Sequence, residues 1–395
     1  MKLQSGKAAT VVLLILFLLI TIYHWRLISA SIISFATSLI LLPAHPTRIW
    51  SVDLLEFWVA AVAWLVTGLF LARTIFRPVK LSKILLNGAA VFLCLLGVVA
   101  LTSPFLVPLP PNVQGDLVTT RLLPPLSSGY VIETLETTEP VGNLSSLEKT
   151  RQTANDFLLQ RSIVVIGGKP KTVNARSIVF LLGTDDTGRD VFSRIISGTR
   201  VSLAIGVAAT IGAILIGSLF GFAAGYSNRF VDSLLMRITD LFLSVPSLFL
   251  VIGIVAFLGQ SISTLIIVLA TTGWMGIARM VRAEVKKLRE REFVLVAKMF
   301  RLPSTTIILR HILPNVKQLL VTAAVLQFGN AVLAEASLSF LGLGIQPPTA
   351  SWGNMLGQSL GYLRTGWWLG VFPGLLLACV LIAAHYAIEG RENEV

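Results

Sequence analysis

Acidic residues that stand close together are the first places in this sequence where a ligand could bind. Asp185, Asp186 and Asp190 lie within one short stretch, and carboxylate oxygens are ligands that Ca²⁺ prefers. Their spacing does not match the EF-hand loop, because no acid stands at its twelfth position. The four histidines also lack a second His or Cys at ligand spacing. We therefore predict no metal ligands.

Arginines placed among these acids favour a structural role instead. Arg189 and Arg194 can pair with the neighbouring carboxylates, and two glycines permit a tight turn around them. We predict a structural motif without ligand contact. Its members are Gly183, Asp185, Gly188, Arg189 and Asp190.

One further acid, Glu335, stands inside the apolar stretch Leu319–Leu341. That stretch is long enough to cross a bilayer. An ionisable side chain in such a span is costly and normally faces a bundle interior or an aqueous cavity. Glu335 is therefore predicted to line a solute path, to make a structural hydrogen bond, or to pair with Arg279 or another helix.

The chain carries no nucleotide-binding loop of the Walker A type. Near its start, Gly6-Lys7 is followed by Ala8 where Ser or Thr is required, and Met1 occupies the place of the leading glycine. ATP hydrolysis by that route is excluded. We identify no catalytic residue and predict that the chain is not an enzyme.

Composition places the chain in a membrane. Of its 395 residues, 54% are hydrophobic and 13% are charged, whereas soluble domains carry about a quarter charged residues. The mean hydropathy is +0.81. The net charge of +12 is typical of Lys and Arg held on the cytoplasmic side. Nucleic-acid binding is not predicted, because the basic residues occupy short loops between spans.

Long apolar runs predict eight membrane spans and one external region. A further stretch, Ile28–Leu42, is ambiguous: it continues the first span, lies in the interface or crosses by itself. The region from Pro108 to about Ile195 has no run of membrane length. The eight predicted spans are Ala8–Leu27, Leu54–Phe76, Ile84–Val107, Val201–Tyr226, Ile238–Leu258, Ile262–Met280, Leu319–Leu341 and Trp367–Ile388.

Clusters of basic residues predict the orientation of these spans. Arg73, Arg77, Lys80 and Lys83 have no acid among them, which places that loop in the cytoplasm. The most basic segment, Met280–Lys317, is predicted to be cytoplasmic too. Alternation of the spans then predicts that both termini are cytoplasmic. The predicted divisions are the extra N-terminal helices 1–83, a first core helix 84–107, an extracytoplasmic region 108–198, and a core 199–395 with a cytoplasmic loop 281–316.

That cytoplasmic loop has the pattern of two short helices with a break between them. Residues 291–301 favour helix, and Pro303 disfavours helical geometry at Leu302. Ser304 is predicted to cap a second short helix, which Pro314 ends or kinks. One face of the first helix is predicted to present apolar side chains to a partner: Phe293, Val296, Ala297 and Phe300.

This segment resembles the coupling loop of ABC importer permeases. Their pattern is Glu-Ala-Ala, three residues, Gly, nine residues, then Ile-x-Leu-Pro. The present chain keeps the spacing but has Leu295-Val296-Ala297, then Arg301, then His311-Ile312-Leu313-Pro314. Arg301 would adopt the left-handed conformation of Gly only at a cost, and Pro303 supplies a break of its own. We call residues 291–314 the coupling segment.

Two further motifs resemble the dipeptide/oligopeptide subfamily of these permeases. The first is Leu182–Arg194 with Gly198–Leu203, and the second is Leu333–Gly344 with Gln346–Leu356. The likeness covers the chain from Ile84 onward, apart from an enlarged external part between Pro108 and Arg176.

The resemblance implies an all-α polytopic fold: a six-helix importer-type core, here with about two extra N-terminal helices and an inserted extracytoplasmic region. It implies an ATP-driven importer of di- or oligopeptides in a bacterial inner membrane. Its implied partners are a second, related permease, two cytoplasmic ATPases that hold ATP and Mg²⁺, and an external solute-binding protein. No cofactor is expected on this chain. The residues implied to couple to the ATPase are Glu292, Leu295, Val296, Ala297, Arg301, Ser304 and Pro314.

Three alternatives stay open at this point. The same permease pattern serves nickel or other small solutes. A channel or secondary transporter would need no ATPase, although such proteins tend to carry more ionisable residues at mid-membrane than this chain does. A membrane scaffold or sensor would use the external region as its working part.

Overall fold

The structure is a computed structural model that describes residues 17, 20–22, 28–34, 59–64, 67, 88–135, 161–166 and 175–392. Most of these residues are helical. The chain forms two compact units. The first comprises 1–86, 94–200 and 359–372, and the second comprises 87–93, 201–358 and 373–395.

Helix α1 (Gly88–Leu106), of which residues 94–106 belong to the first unit, corresponds to the predicted first core span. Its residue Phe105 packs in an apolar cluster with Ile28 and Trp64 from helical stretches of the N-terminal region. The Trp64 indole N–H donates to Thr21 Oγ1 at 3.0 Å. Most of the predicted spans 8–27 and 54–76, and of the ambiguous stretch 28–42, lies outside the described residues.

Residues 108–198, which are predicted to be external, contain a three-stranded antiparallel sheet that the all-helical expectation did not include. Its strands are β1 (Ser127–Leu135), β2 (Arg161–Ile166) and β3 (Ala175–Phe180), in the order β2-β1-β3. The sequence of β2 is rich in Ile and Val, residue types that are enriched in strands. Val131 of β1 and Phe180 of β3 pack with Leu109 in a buried apolar cluster. These pairings join segments far apart in sequence, so local patterns alone did not reveal them.

The remaining described elements are helical, and four stretches are long and apolar enough to cross a membrane: Val191–Tyr226, Ile262–Arg289, Ser304–Phe340 and Trp368–Ala387. The helices are α2 (Val191–Tyr226), α3 (Arg229–Ser244), α4 (Ser247–Leu258), α5 (Ile262–Arg289), α6 (Glu292–Met299), α7 (Ser304–Ile307), α8 (Leu313–Phe340), α9 (Trp352–Ser359) and α10 (Trp368–Glu392).

The predicted span Ile238–Leu258 is broken in the structure. Helices α3 and α4 meet at an angle of 84°. Pro246 has no N–H to continue α3, and it holds Val245 in an extended conformation with φ −93° and ψ 126°. Apolar length alone did not reveal this bend.

A ladder of small residues lets α2 lie directly against α5. Gly217, Gly221 and Gly225 recur every four residues, and they face Ile277, Val281 and Val285 of α5. A Cβ added at Gly221 would stand 2.6 Å from Val281 Cβ. Small residues at such spacing allow close helix approach in membranes. Here the approach occurs within one subunit.

We predict that Gly221→Ala destabilises the protein by about 1–3 kcal/mol, because the added methyl overpacks the contact with Val281. Gly253→Ala is the matched control, since its Cβ would meet nothing within 4 Å. Replacing an interior helix glycine there should be neutral or stabilising by about 0.5–1 kcal/mol. Thermal unfolding in detergent measures both, and equal effects would contradict the steric explanation.

Candidate functional site

The coupling segment joins α5 to α8 and carries most of the residues singled out from the sequence. Helix α6 begins after Arg291, with Glu292 in its first turn, where the helix dipole favours an acid. Glu292 is exposed.

Helix α6 ends in a left-handed reversal at Arg301. The φ of Arg301 is +54°. Its N–H donates to Lys298 O at 2.9 Å, and the N–H of Leu302 donates to Ala297 O at 3.2 Å. These two bonds form the Schellman arrangement, whose left-handed residue is usually Gly. Arg301 therefore adopts a conformation that costs a residue with a Cβ more than it costs glycine.

One side of α6 is anchored in the protein. Val294 and Ala297, three residues apart on the helix, are buried together with Leu288, Ile307 and Ile312. The prediction that Ala297 belongs to the exposed apolar face is wrong. Helical periodicity predicted one continuous apolar stripe along α6. Only the packing of α6 against the ends of α5 and α8 decided which part of that stripe is buried.

The other side of α6 is apolar and uncovered. Phe293 and Val296 are exposed as predicted, while Met299 and Phe300 are 82% and 77% exposed. Leu295, another predicted coupling residue, is exposed too. Neighbouring exposed apolar side chains mark an interaction surface. We call Phe293, Val296, Met299 and Phe300 the apolar face of α6.

The second half of the coupling segment differs from its predicted form. Ser304 is the first residue of α7 and makes no capping bond, since Pro303 occupies the N-cap position. Residues Ile308–Ile312 form a π-helical turn, and Pro314 then stands in the first turn of α8. The wider turn relieves the clash that a proline makes with the preceding turn. The helix thus continues through Pro314 and does not end there.

The predicted glycine-and-acid motif forms a closed turn in the first unit. Gly183 and Gly188 have φ of +80° and +74°. Asp185 Oδ1 accepts the N–H groups of Thr187 and Arg189 at 2.9 Å, and its Oδ2 accepts Arg189 Nε at 2.6 Å. These contacts are local and structural.

The same turn starts helix α2. Asp190 Oδ2 accepts the N–H of Ser193 at 2.9 Å, as a capping residue does. Burial raises the pKa of the Asp190 carboxyl, and the hydrogen bonds from Ser193 oppose that rise. Arg194 Nε lies 3.5 Å from Asp185 Oδ2. Among the described residues, no three His, Cys, Asp or Glu side chains are grouped to hold a metal ion.

Two residues that hold this turn were not identified from the sequence. Thr184 Oγ1 accepts the N–H of Leu123 at 2.8 Å and donates to Thr120 O. The Trp368 indole N–H donates to Thr184 O at 3.1 Å. Because these partners are remote in sequence, no local pattern pointed to them.

Glu335 lies fully buried in the second unit, inside a cluster of hydroxyl groups. Its carboxylate accepts hydrogen bonds from Ser202 at 3.0 Å and from Ser339 at 2.9 Å. The same two serines also bind backbone groups. Ser339 Oγ accepts the N–H of Ile345, and Ser202 Oγ accepts the N–H of Trp352. Glu335 thus joins α2 and α8 to the segment that leads into α9.

The suggested pairing of Glu335 with Arg279 does not occur. Arg279 Nη2 instead contacts Asp240 Oδ1 of α3, and both side chains are more than half exposed. Among the described residues, the partners of Glu335 are hydroxyl groups.

Residues 213–393 match a family described as "Binding-protein-dependent transport system inner membrane component". The dipeptide transport system permease protein DppC of Alkalihalophilus pseudofirmus is 41% identical over 211 residues, covering 53% of this chain and 69% of that protein. The chain belongs to the family of inner-membrane permeases of binding-protein-dependent transport systems. The di/tripeptide transport system permease protein DppC of Pseudomonas aeruginosa is 36% identical to this permease over 238 residues, covering 60% and 76%.

Among solved structures, one titled as inward-facing conformations of the MetNI methionine ABC transporter superimposes on this permease with a TM-score of 0.43. It is 18% identical, and the match covers 50% of this chain and 94% of that chain.

Family membership confirms the predicted family and its helical membrane fold. The matched residues of this permease contain the whole coupling segment and Glu335. The turn at Gly183 to Asp190 precedes them.

We predict that Arg301→Gly stabilises this permease by about 1–2 kcal/mol, because glycine removes the steric cost of the left-handed conformation. Arg301→Ala is the control: it also removes the charge and the long side chain but keeps the Cβ that causes the clash. Thermal unfolding in detergent measures both variants. An equal gain for Ala would show that the side chain, and not the backbone, carries the strain.

We predict that Glu335→Ala costs about 1–3 kcal/mol for each buried hydroxyl that it leaves without an acceptor. Glu335→Gln should retain most of the stability, since an amide can accept from one serine and donate to the other. Asn330→Ala, at an exposed position of the same helix, is the control. Thermal unfolding of the purified variants checks the order, and a Gln variant as unstable as Ala would contradict it.

Proposed function

We propose that this permease is a subunit of an ATP-driven importer of short peptides, and that a cytoplasmic ATPase docks on the apolar face of α6. The other proposed components are a second, related permease, a second ATPase and an external binding protein. The ATP and Mg²⁺ belong to the ATPases. The peptide cargo is supported by relatives that are named as dipeptide and di/tripeptide permeases.

The observation that carries the docking proposal is the two-sided burial of α6. Val294 and Ala297 tie the helix to the ends of α5 and α8, while Met299 and Phe300 stay exposed. A short helix held on one side and apolar on the other fits a groove on a partner. Because it is anchored, movement of that partner is passed to the helices that it touches.

The charge of the surrounding residues supports a cytoplasmic position. Residues 281–316 carry a strong excess of Lys and Arg, which is typical of loops on the inner side. The spans alternate from there, so we propose cytoplasmic termini and an extracytoplasmic region at 108–198. The predicted coupling residues Glu292, Leu295 and Val296 are exposed on α6, where an ATPase can contact them.

In the proposed cycle, ATP binding draws the two ATPases together and moves both docked segments. This displacement turns the membrane-spanning helices attached to the docked segments. The transport path between the two permeases then changes from inward to outward access. The binding protein then delivers peptide from outside, and hydrolysis restores the first state. This chain contributes the mechanical contact and the path, and the ATPases contribute the chemistry.

The double variant Met299→Ser/Phe300→Ser tests this proposal. Burying each side chain at an interface contributes about 1.5–3 kcal/mol, so the pair should reduce ATPase binding by more than tenfold. Both side chains are exposed, so the permease itself should fold normally. The measurement is copurification of the ATPase and ATP-dependent uptake of dialanine in proteoliposomes.

Phe257→Ser is the matched control, because Phe257 is 93% exposed on α4, which is not part of the coupling segment. It should retain the ATPase. If the Met299/Phe300 variant keeps both ATPase binding and uptake at wild-type levels, the ATPase does not dock on this face.

A further inference from the structure

The turn between α2 and α3 is tied to the coupling segment by a set of contacts that the docking proposal does not use. We call residues 226–232 the corner. Arg289, the last residue of α5, donates from Nη1 to Ser227 O at 3.2 Å and to Tyr226 O at 3.4 Å. These carbonyls lie at the C-terminal end of α2, where a cation is favoured by the helix dipole.

The other side of the corner is held by an ion-pair cluster. Asp232, in the first turn of α3, receives Arg282 Nη2 at 2.8 Å and Lys286 Nζ at 2.5 Å, and it also contacts Arg282 Nε. The Asp232 side chain is only 11% exposed. A bidentate arginine on a largely covered carboxylate is a geometrically specific contact.

The coupling segment reaches the same corner. The Lys298 ammonium of α6 lies 5.8 Å from the centre of the Tyr226 ring, within the range of a cation–π contact. Tyr226 and Phe222 also pack against the buried cluster that contains Val294 and Ala297. The corner, the end of α5 and α6 therefore share both apolar and ionic contacts.

We propose that Asp232 is a positioning residue for energy coupling. It locks the start of α3 to α5, so that a displacement of α6 is carried into α3. The opposite end of α3 is the 84° bend at Val245 and Pro246, where a shift of α3 reorients α4. This inference rests on the proposed function, because it needs an ATPase that moves α6.

The alternative is that Asp232 only balances charge. In the wild type, one carboxylate faces two cations, and the cluster has a net charge of +1. Asp232→Asn raises it to +2 and leaves Arg282 beside Lys286. Asp232→Asn/Lys286→Gln returns the net charge to +1 but does not restore the ion pair. The double variant thus separates charge balance from mechanical connection.

The test uses the whole complex with its ATPases and binding protein in proteoliposomes. It measures dialanine imported and ATP hydrolysed in the same sample. For Asp232→Asn we expect assembly with the ATPases and hydrolysis of ATP, but at least a tenfold loss of dialanine imported per ATP. The double variant should also assemble with the ATPases, without recovering that ratio.

Asp240→Asn is the matched control. It breaks an aspartate–arginine pair between the same two helices, α3 and α5, but both side chains of that pair are more than half exposed. Its import per ATP should stay within twofold of the wild type. The charge-swapped variant Asp232→Arg/Arg282→Asp rebuilds the pair in reverse and should regain part of the ratio.

A wild-type ratio in Asp232→Asn, or full recovery of the ratio in the double variant, would overturn this inference. Failure of the proposed function gives a different result: the wild-type complex itself then binds no ATPase or imports no dialanine. A parallel fall of complex yield and import, with an unchanged ratio, means that Asp232 is merely structural and also overturns the inference.

Discussion

The close contact between α2 and α5 is the constraint on which the functional part of the structure depends. Three glycines on one face of α2 remove the side chains that would hold the helices apart. The C-terminal end of α2 then lies beside the basic end of α5, where Arg289 reaches its last carbonyl groups. With longer side chains at these positions, the corner would be displaced from the cations that bind it.

A second constraint acts on the coupling segment. Its helix α6 must pack against the protein on one side while its apolar face stays exposed. The left-handed turn at Arg301 reverses the chain directly after α6, so the helix is short and its end is fixed. Val294 and Ala297 then cover the inner side, and Met299 and Phe300 are left outside.

Buried polar groups in this permease serve as joints between elements. Glu335 is surrounded by serine hydroxyls that also bind backbone N–H groups of the segment before α9. Asp185 in the first unit instead holds a single turn, because it accepts several donors from that turn. In both places the desolvation cost of a carboxylate is offset by donors placed around it.

The sequence by itself determined the family and the four long apolar helices that could cross a membrane, but not the three-stranded sheet. The lengths of the apolar runs predicted the spans, the excess of Lys and Arg marked the coupling segment, and Gly183 and Gly188 marked a turn, because each of these depends on neighbouring residues alone. Only the tertiary structure decided that Ala297 is buried, that Glu335 binds serines, that Arg279 pairs with Asp240, and that α3 and α4 are sharply bent. Asp232 and Arg282 stand 50 residues apart, and no periodicity links them. Such pairings depend on which helix faces come together, and that is set by the packing of whole helices.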